Sequence, residues 1–75
     1  MNAYQEIANA IVVQAATDYR NALAGEGYRH MSPARAASEC ERFFRSSYFS
    51  MLTKVSGEYI IEQIQKEARA NETLD

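Results

Sequence analysis

An all-α fold, a small bundle of three main helices plus one short helix, is predicted by three features of the sequence. Apolar residues recur at intervals of three and four over most of the chain. The single proline, the glycines and several serines fall where those stretches start and stop. No segment of useful length alternates apolar with polar residues, so no sheet is expected. The 75 residues make one helical domain, with residues 71–75 reading as a polar tail.

The first helix spans Asn2 to Ala24. Tyr4, Ile7, Ala8, Ile11, Val12, Ala15, Tyr19, Ala22 and Leu23 keep helical spacing, with Gln5, Asn9, Asp18 and Arg20 mostly elsewhere on the wheel. Gly25 stands where a C-terminal cap belongs, and Gly27 follows it. Glu26 to Met31 read as a connection. Ser32 then caps a second helix whose first position is Pro33, where the missing N–H has no partner to lose.

The second helix presents Ala36, Cys40, Phe43 and Phe44 to the core. Ser46 and Ser47 break it, because serine competes with the helix through local hydrogen bonds. Tyr48 to Leu52 form the short third helix, expected to turn Tyr48, Met51 and Leu52 inward. After a connection over Thr53 to Gly57, Ser56 caps the last helix and Glu58 sits near the positive end of its dipole. Ile60, Ile61, Ile64 and Ala68 are its apolar stripe, and Glu62 and Lys66 stand at the favourable i, i+4 spacing.

The densest feature is Glu39 to Thr53, ECERFFRSSYFSMLT. Four of the chain's eight aromatic residues, Phe43, Phe44, Tyr48 and Phe49, fall within seven positions there, between and beside Arg42 and Arg45. Neighbours on a helix diverge by about 100°, so the cluster divides. Cys40, Phe43, Phe44 and Leu52 are expected in the core, with Tyr48 a plug between helices. Arg42, Arg45 and Phe49 are left facing outward, and aromatic and arginine side chains together are enriched at binding hot spots.

Composition excludes several functions. One cysteine and one histidine fall short of a four-ligand zinc site. Cys40 sits at an apolar spacing that raises a thiol pKa instead of activating it, and His30 lies in a connection. There is no glycine-rich phosphate loop and no plausible Ser–His–Asp set, so no enzyme and no cofactor are expected. The longest apolar run, Ala10 to Val13, is far below the ~20 residues of a membrane span. The first residues lack a signal-peptide pattern, and the absence of a disulfide framework predicts a reducing, cytoplasmic setting.

Net charge is −2, unevenly placed: residues 1–19 hold two acids and no base, residues 20–54 six bases and three acids, and residues 55–75 two bases and five acids. Arg35, Arg42 and Arg45, with Arg29 and Lys54, form a candidate basic patch on the 33–46 helix. A helix-turn-helix regulator would place that helix in the major groove. Glu39 and Glu41 stand at i, i+3 and i, i+4 to neutralise Arg42 and Arg45. The acids of the last helix, Glu58, Glu62 and Glu67 with Glu72 and Asp75, are the natural mimic of phosphate spacing.

The spaced pieces Asp18-Tyr19-Arg20, Glu41-x-Phe43-Phe44-x-Ser46-x-Tyr48-Phe49-x-x-Leu52-Thr53 and Gly57-Glu58 resemble a family of short proteins from phages and mobile elements of Gram-positive bacteria. The resemblance covers roughly residues 8–65. Relatives often carry tryptophan at Tyr48 and aspartate at Ser56; both changes keep the role, an aromatic plug and a helix cap. The resemblance implies a genomic setting and brings no catalytic residues. In that setting the expected function is noncatalytic binding of a larger host or viral protein, as in inhibition of a defence complex such as a CRISPR effector. A small acidic domain fits a basic nucleic-acid channel by charge complementarity. The expected contact residues are Arg42, Arg45, Phe49, Glu58, Glu62 and Glu67. The alternatives are the DNA-binding regulator and a structural homodimer.

Overall fold

Helix α1 runs from Ala3 to Leu23, α2 from Pro33 to Phe44, α3 from Ser47 to Leu52 and α4 from Gly57 to Thr73. The computed structural model describes residues 3–27 and 30–73, and no β-strand occurs among them. Tyr28, Arg29 and the residues beyond Thr73 lie outside the described residues. The expected all-α bundle of three longer helices and one short one is therefore observed.

Local chemistry sets each boundary. Gly25 adopts φ 92°, the left-handed cap conformation. Around it Glu26 N–H donates to the Asn21 carbonyl at 2.9 Å and Gly25 N–H to that of Ala22 at 3.1 Å, the two bonds of a Schellman cap. The Ser32 hydroxyl accepts from Arg35 N–H at 3.2 Å, with Pro33 beside it in the first turn. Ser46 does two jobs at the α2–α3 corner: its hydroxyl donates to the Phe43 carbonyl at 2.6 Å and accepts from Phe49 N–H at 3.1 Å. Ser56 caps α4 through Tyr59 N–H at 3.3 Å. Helix α4 continues to Thr73, past the point where its apolar stripe ends.

The core is Tyr19 from α1, Phe44 from α2, Phe49 from α3 and Ile61 and Ile64 from α4. Val12, Ala15, Cys40, Phe43 and Ile60 pack around it, half-buried. Phe43, Phe44 and Phe49 meet edge to face, with centroids 5.4 to 5.7 Å apart, which suits the ring quadrupoles.

The short helix is turned differently from the expectation. Phe49, expected to face outward, is 2% exposed and fills the space between helices, whereas Tyr48, expected as the plug, is 53% exposed. Met51, expected inward, is 74% exposed, while Leu52 is half-buried as expected. Over six residues the stripes Tyr48–Met51 and Phe49–Leu52 have equal periodicity. Chemistry separates them: Phe49 buries its whole ring with no polar atom to satisfy, and Tyr48 keeps its hydroxyl in water.

Phe43 of α2 lines one hollow with Ile11 of α1, and Ala36 and Cys40 line another with Asp18. Helix α4 follows the C-terminal half of α1 in the same sense, Gln65 meeting Tyr19 and Glu67 meeting Arg20. The 21 residues of α1 reach about 31 Å, against about 18 Å for the 12 of α2. Helix α2 therefore cannot cover α1 along its whole length, and α3 packs against α1 as well, with Ala8 buried. The radius of gyration is 13.0 Å, above the ~11 Å of a compact chain of this length.

Candidate functional site

Two surfaces compete for a function. The first holds the charged residues singled out by the sequence. Arg45 donates through Nε to Glu58 across the α2–α4 seam and lies 3.8 Å from Glu41 on its own helix. Arg42 reaches Glu39 at 3.7 Å, and Arg20 donates to Glu67 at 2.8 Å. The hydrogen bond from Arg45 holds the Glu58 carboxyl below its ordinary range, and Arg20 does the same for Glu67. Of the six expected contact residues, Arg45, Glu58 and Glu67 are thus joined in ion pairs between helices and Arg42 in a looser one within α2. Glu62 is exposed, and Phe49 is withdrawn into the core.

Behind the Arg45 pairs runs a polar chain. Tyr19 is fully buried, its hydroxyl donating to Glu41 Oε2 at 2.7 Å and accepting from Gln65 Nε2 at 3.1 Å. Burial, then the hydrogen bond to Glu41, pushes the Tyr19 phenol up to about 12. Glu41 is shared between Tyr19 and Arg45, so Gln65, Tyr19, Glu41, Arg45 and Glu58 link α1, α2 and α4. Every side-chain polar atom buried among the described residues has a partner. This network organises the fold.

The second surface is apolar. Tyr4 and Ile7, expected in the core stripe of α1, are 68% and 61% exposed, whereas Ala8 beside them is buried. Below them the α1–α2 groove holds two adjoining hollows of about 450 and 230 Å³ that share Ala15, Asp18 and Phe43. Ile7, Ala10 and Ile11 line the upper one, and Met31, Ala36 and Cys40 the lower. Phe43 forms the wall between them and stacks edge-on against exposed Tyr48, with centroids 6.1 Å apart. The apolar face thus continues from α1 across α2 onto α3. Burial, and then the charge of Asp18, Glu41 and Glu39, pushes the Cys40 thiol up, so it is a weak nucleophile. His30 is exposed, outside this groove.

Sequence reasoning missed this surface by treating the whole α1 stripe as core. A signal was present: a first helix nearly twice as long as the second cannot be covered by it along its length. Among the described residues no group of three or more His, Cys, Asp or Glu side chains is placed to hold a metal ion. No described helix is long and apolar enough to cross a membrane. No family model, curated protein or solved structure matches the chain.

Proposed function

We propose that the chain is a noncatalytic binding protein of phage or mobile-element type, acting in the bacterial cytoplasm on a larger host or viral protein. Inhibition of a host-defence complex, such as a CRISPR effector, is the role that fits a protein of this kind. One observation carries the reading: the apolar surface on which exposed Ile7 and half-buried Phe43 line one hollow and Phe43 meets exposed Tyr48, with exposed Tyr4 one turn before Ile7. Contiguous apolar surface with a polar surround marks interaction sites in small domains. The resemblance to short phage and mobile-element proteins supports the setting.

The acids of α4 support partner binding less well, since Glu58 and Glu67 already pair with Arg45 and Arg20. The same ion pairs weigh against the DNA-binding alternative, for Arg42 and Arg45 would first have to leave Glu39, Glu41 and Glu58. The test is capture by the tagged chain from an extract of the bacterial host, alongside DNA binding at rising salt. One protein retained in fixed stoichiometry, with no DNA affinity at physiological salt, is expected. Recovery of nucleic acid alone, with affinity falling steeply in salt and lost with Arg42→Ala and Arg45→Ala, would replace this reading with the regulator. A doubled solution mass with no other partner would replace it with the homodimer.

A further inference from the structure

The described residues lining the α1–α2 groove carry charge of one sign. Asp18 lines both hollows and Glu39 the lower one, and among the described residues no Lys, Arg or His lines either. The N-terminal half of α1 adds Glu6 and no cation. Arg42 does approach Glu39, but at 3.7 Å, on a side chain 79% exposed, and it lines a separate hollow with Ser38 and Arg45. Asp18 is held in place by a hydrogen bond donated from Gln14 Nε2 at 2.9 Å. The groove is an apolar trough with fixed anionic charge at its middle.

The shape selects the occupant's backbone. Both walls are helices whose amides are bonded internally, so neither offers a strand edge, and an apolar groove between helices takes an amphipathic helix. From Ile7 to Asp18 the upper hollow alone runs roughly 16 Å along α1, about three turns of such a helix. Its charge argues against a second copy, because self-pairing through this face would bring two anionic surfaces together. We propose that the α1–α2 groove binds a basic amphipathic helix of a partner protein. Apolar side chains one turn apart enter the two hollows on either side of Phe43, and a flanking Lys or Arg meets Asp18. The assignment rests on the protein-binding function above and names the chemistry of the partner's contact segment.

The test titrates the intact chain with a Leu/Lys helical peptide of about 14 residues, its leucines at i, i+3, i+4 and i+7. A Leu/Glu peptide of the same pattern and a Lys-rich peptide without leucine are the controls. Cys40, the sole cysteine, reports on the lower hollow through its rate of alkylation. Only the Leu/Lys peptide should bind saturably and slow alkylation of Cys40. Ile7→Asp, at an exposed position that leaves the fold intact, should weaken it about tenfold or more. Asp18→Asn should weaken it about two- to fivefold and flatten its salt dependence.

Equal binding of the Leu/Glu peptide would overturn the basic partner and leave a protein-binding groove. Self-association of the chain, lost with Ile7→Asp, would make a second copy the occupant and overturn the proposal. If neither peptide binds but Ile7→Asp still abolishes capture of the host protein, the basic helix is wrong and the protein-binding function stands. If neither peptide binds and Ile7→Asp leaves capture unchanged, both are wrong for this face.

Discussion

The hydroxyl of Tyr19 donates to Glu41 Oε2 at 2.7 Å from a fully buried ring, and through Glu41 the first helix is tied to Arg45 and Glu58. An aromatic ring at the centre of the core thus carries its polar atom to the edge of it, where charged partners hold three helices in register. Glu41 and Arg45, residues that read on the sequence as a salt bridge or a binding patch, serve the architecture.

Tyr19→Phe keeps the ring and removes the hydroxyl, leaving the partly buried Glu41 and Gln65 groups without that partner. A loss of about 1–2 kcal/mol is expected in urea unfolding, read as a lower midpoint at an unchanged slope. Alkaline pH tests the same contact. The Tyr19 phenol is raised to about 12, so folding favours its protonated form. The stabilisation is fully present below the ordinary tyrosine value of ~10 and lost as pH rises through about 12. Wild type should lose more stability than Tyr19→Phe across that interval, and parallel pH curves for the two proteins would show that the hydroxyl is not held in this way.

Phe49→Ala should cost about 3–5 kcal/mol, enough to unfold much of a domain of this size. Tyr48→Ala, one residue away and exposed, should cost under about 1 kcal/mol. Thermal melts followed by circular dichroism check the contrast, and similar losses at both positions would contradict the orientation of α3.

Gly57 opens α4 hard against the end of α2: a Cβ there would overlap the Phe44 carbonyl oxygen. Alanine gains at most ~1 kcal/mol in helix propensity over glycine. Backbone overlap is the larger effect, so Gly57→Ala should destabilise by about 1–3 kcal/mol in denaturant unfolding. A stabilised variant would mean that α4 begins further from Phe44.

Acid should loosen the seams of α4. Glu58 and Glu67 have lowered folded pKa values, each chiefly through a hydrogen bond from an arginine. Their contribution is fully present above the ordinary glutamate range and is lost as pH falls below about 4 through the folded values. Both pairs are solvent-exposed, so the effect is small and screened by salt. The decline of melting temperature in acid should be shallower in Glu67→Gln than in wild type, and the difference should shrink at high salt.

Much of the fold was legible because its punctuation is local. Ser32–Pro33, Ser46 and Ser56 state helix starts in their own chemistry, and Gly25 states an end. What was not legible depended on neighbours. Whether Tyr48 or Phe49 turns inward is decided by the direction in which the chain leaves Ser46, which a six-residue helix does not encode as a period. The binding face was hidden for a related reason. Tyr4 and Ile7 carry the same spacing as Ala8 and Val12, yet Ala8 is buried and they are exposed, a difference that spacing alone does not encode.

The central claim is that the uncovered face of α1 contacts the partner. Its most direct test compares wild type, Ile7→Asp and the double variant Arg42→Ala with Arg45→Ala in quantitative capture of the host protein, with melting curves recorded for all three. Wild type and the arginine variant should retain the partner in equal stoichiometry, while Ile7→Asp loses it with its fold intact. Retention by Ile7→Asp together with loss in the arginine variant would contradict the account and return the function to α2.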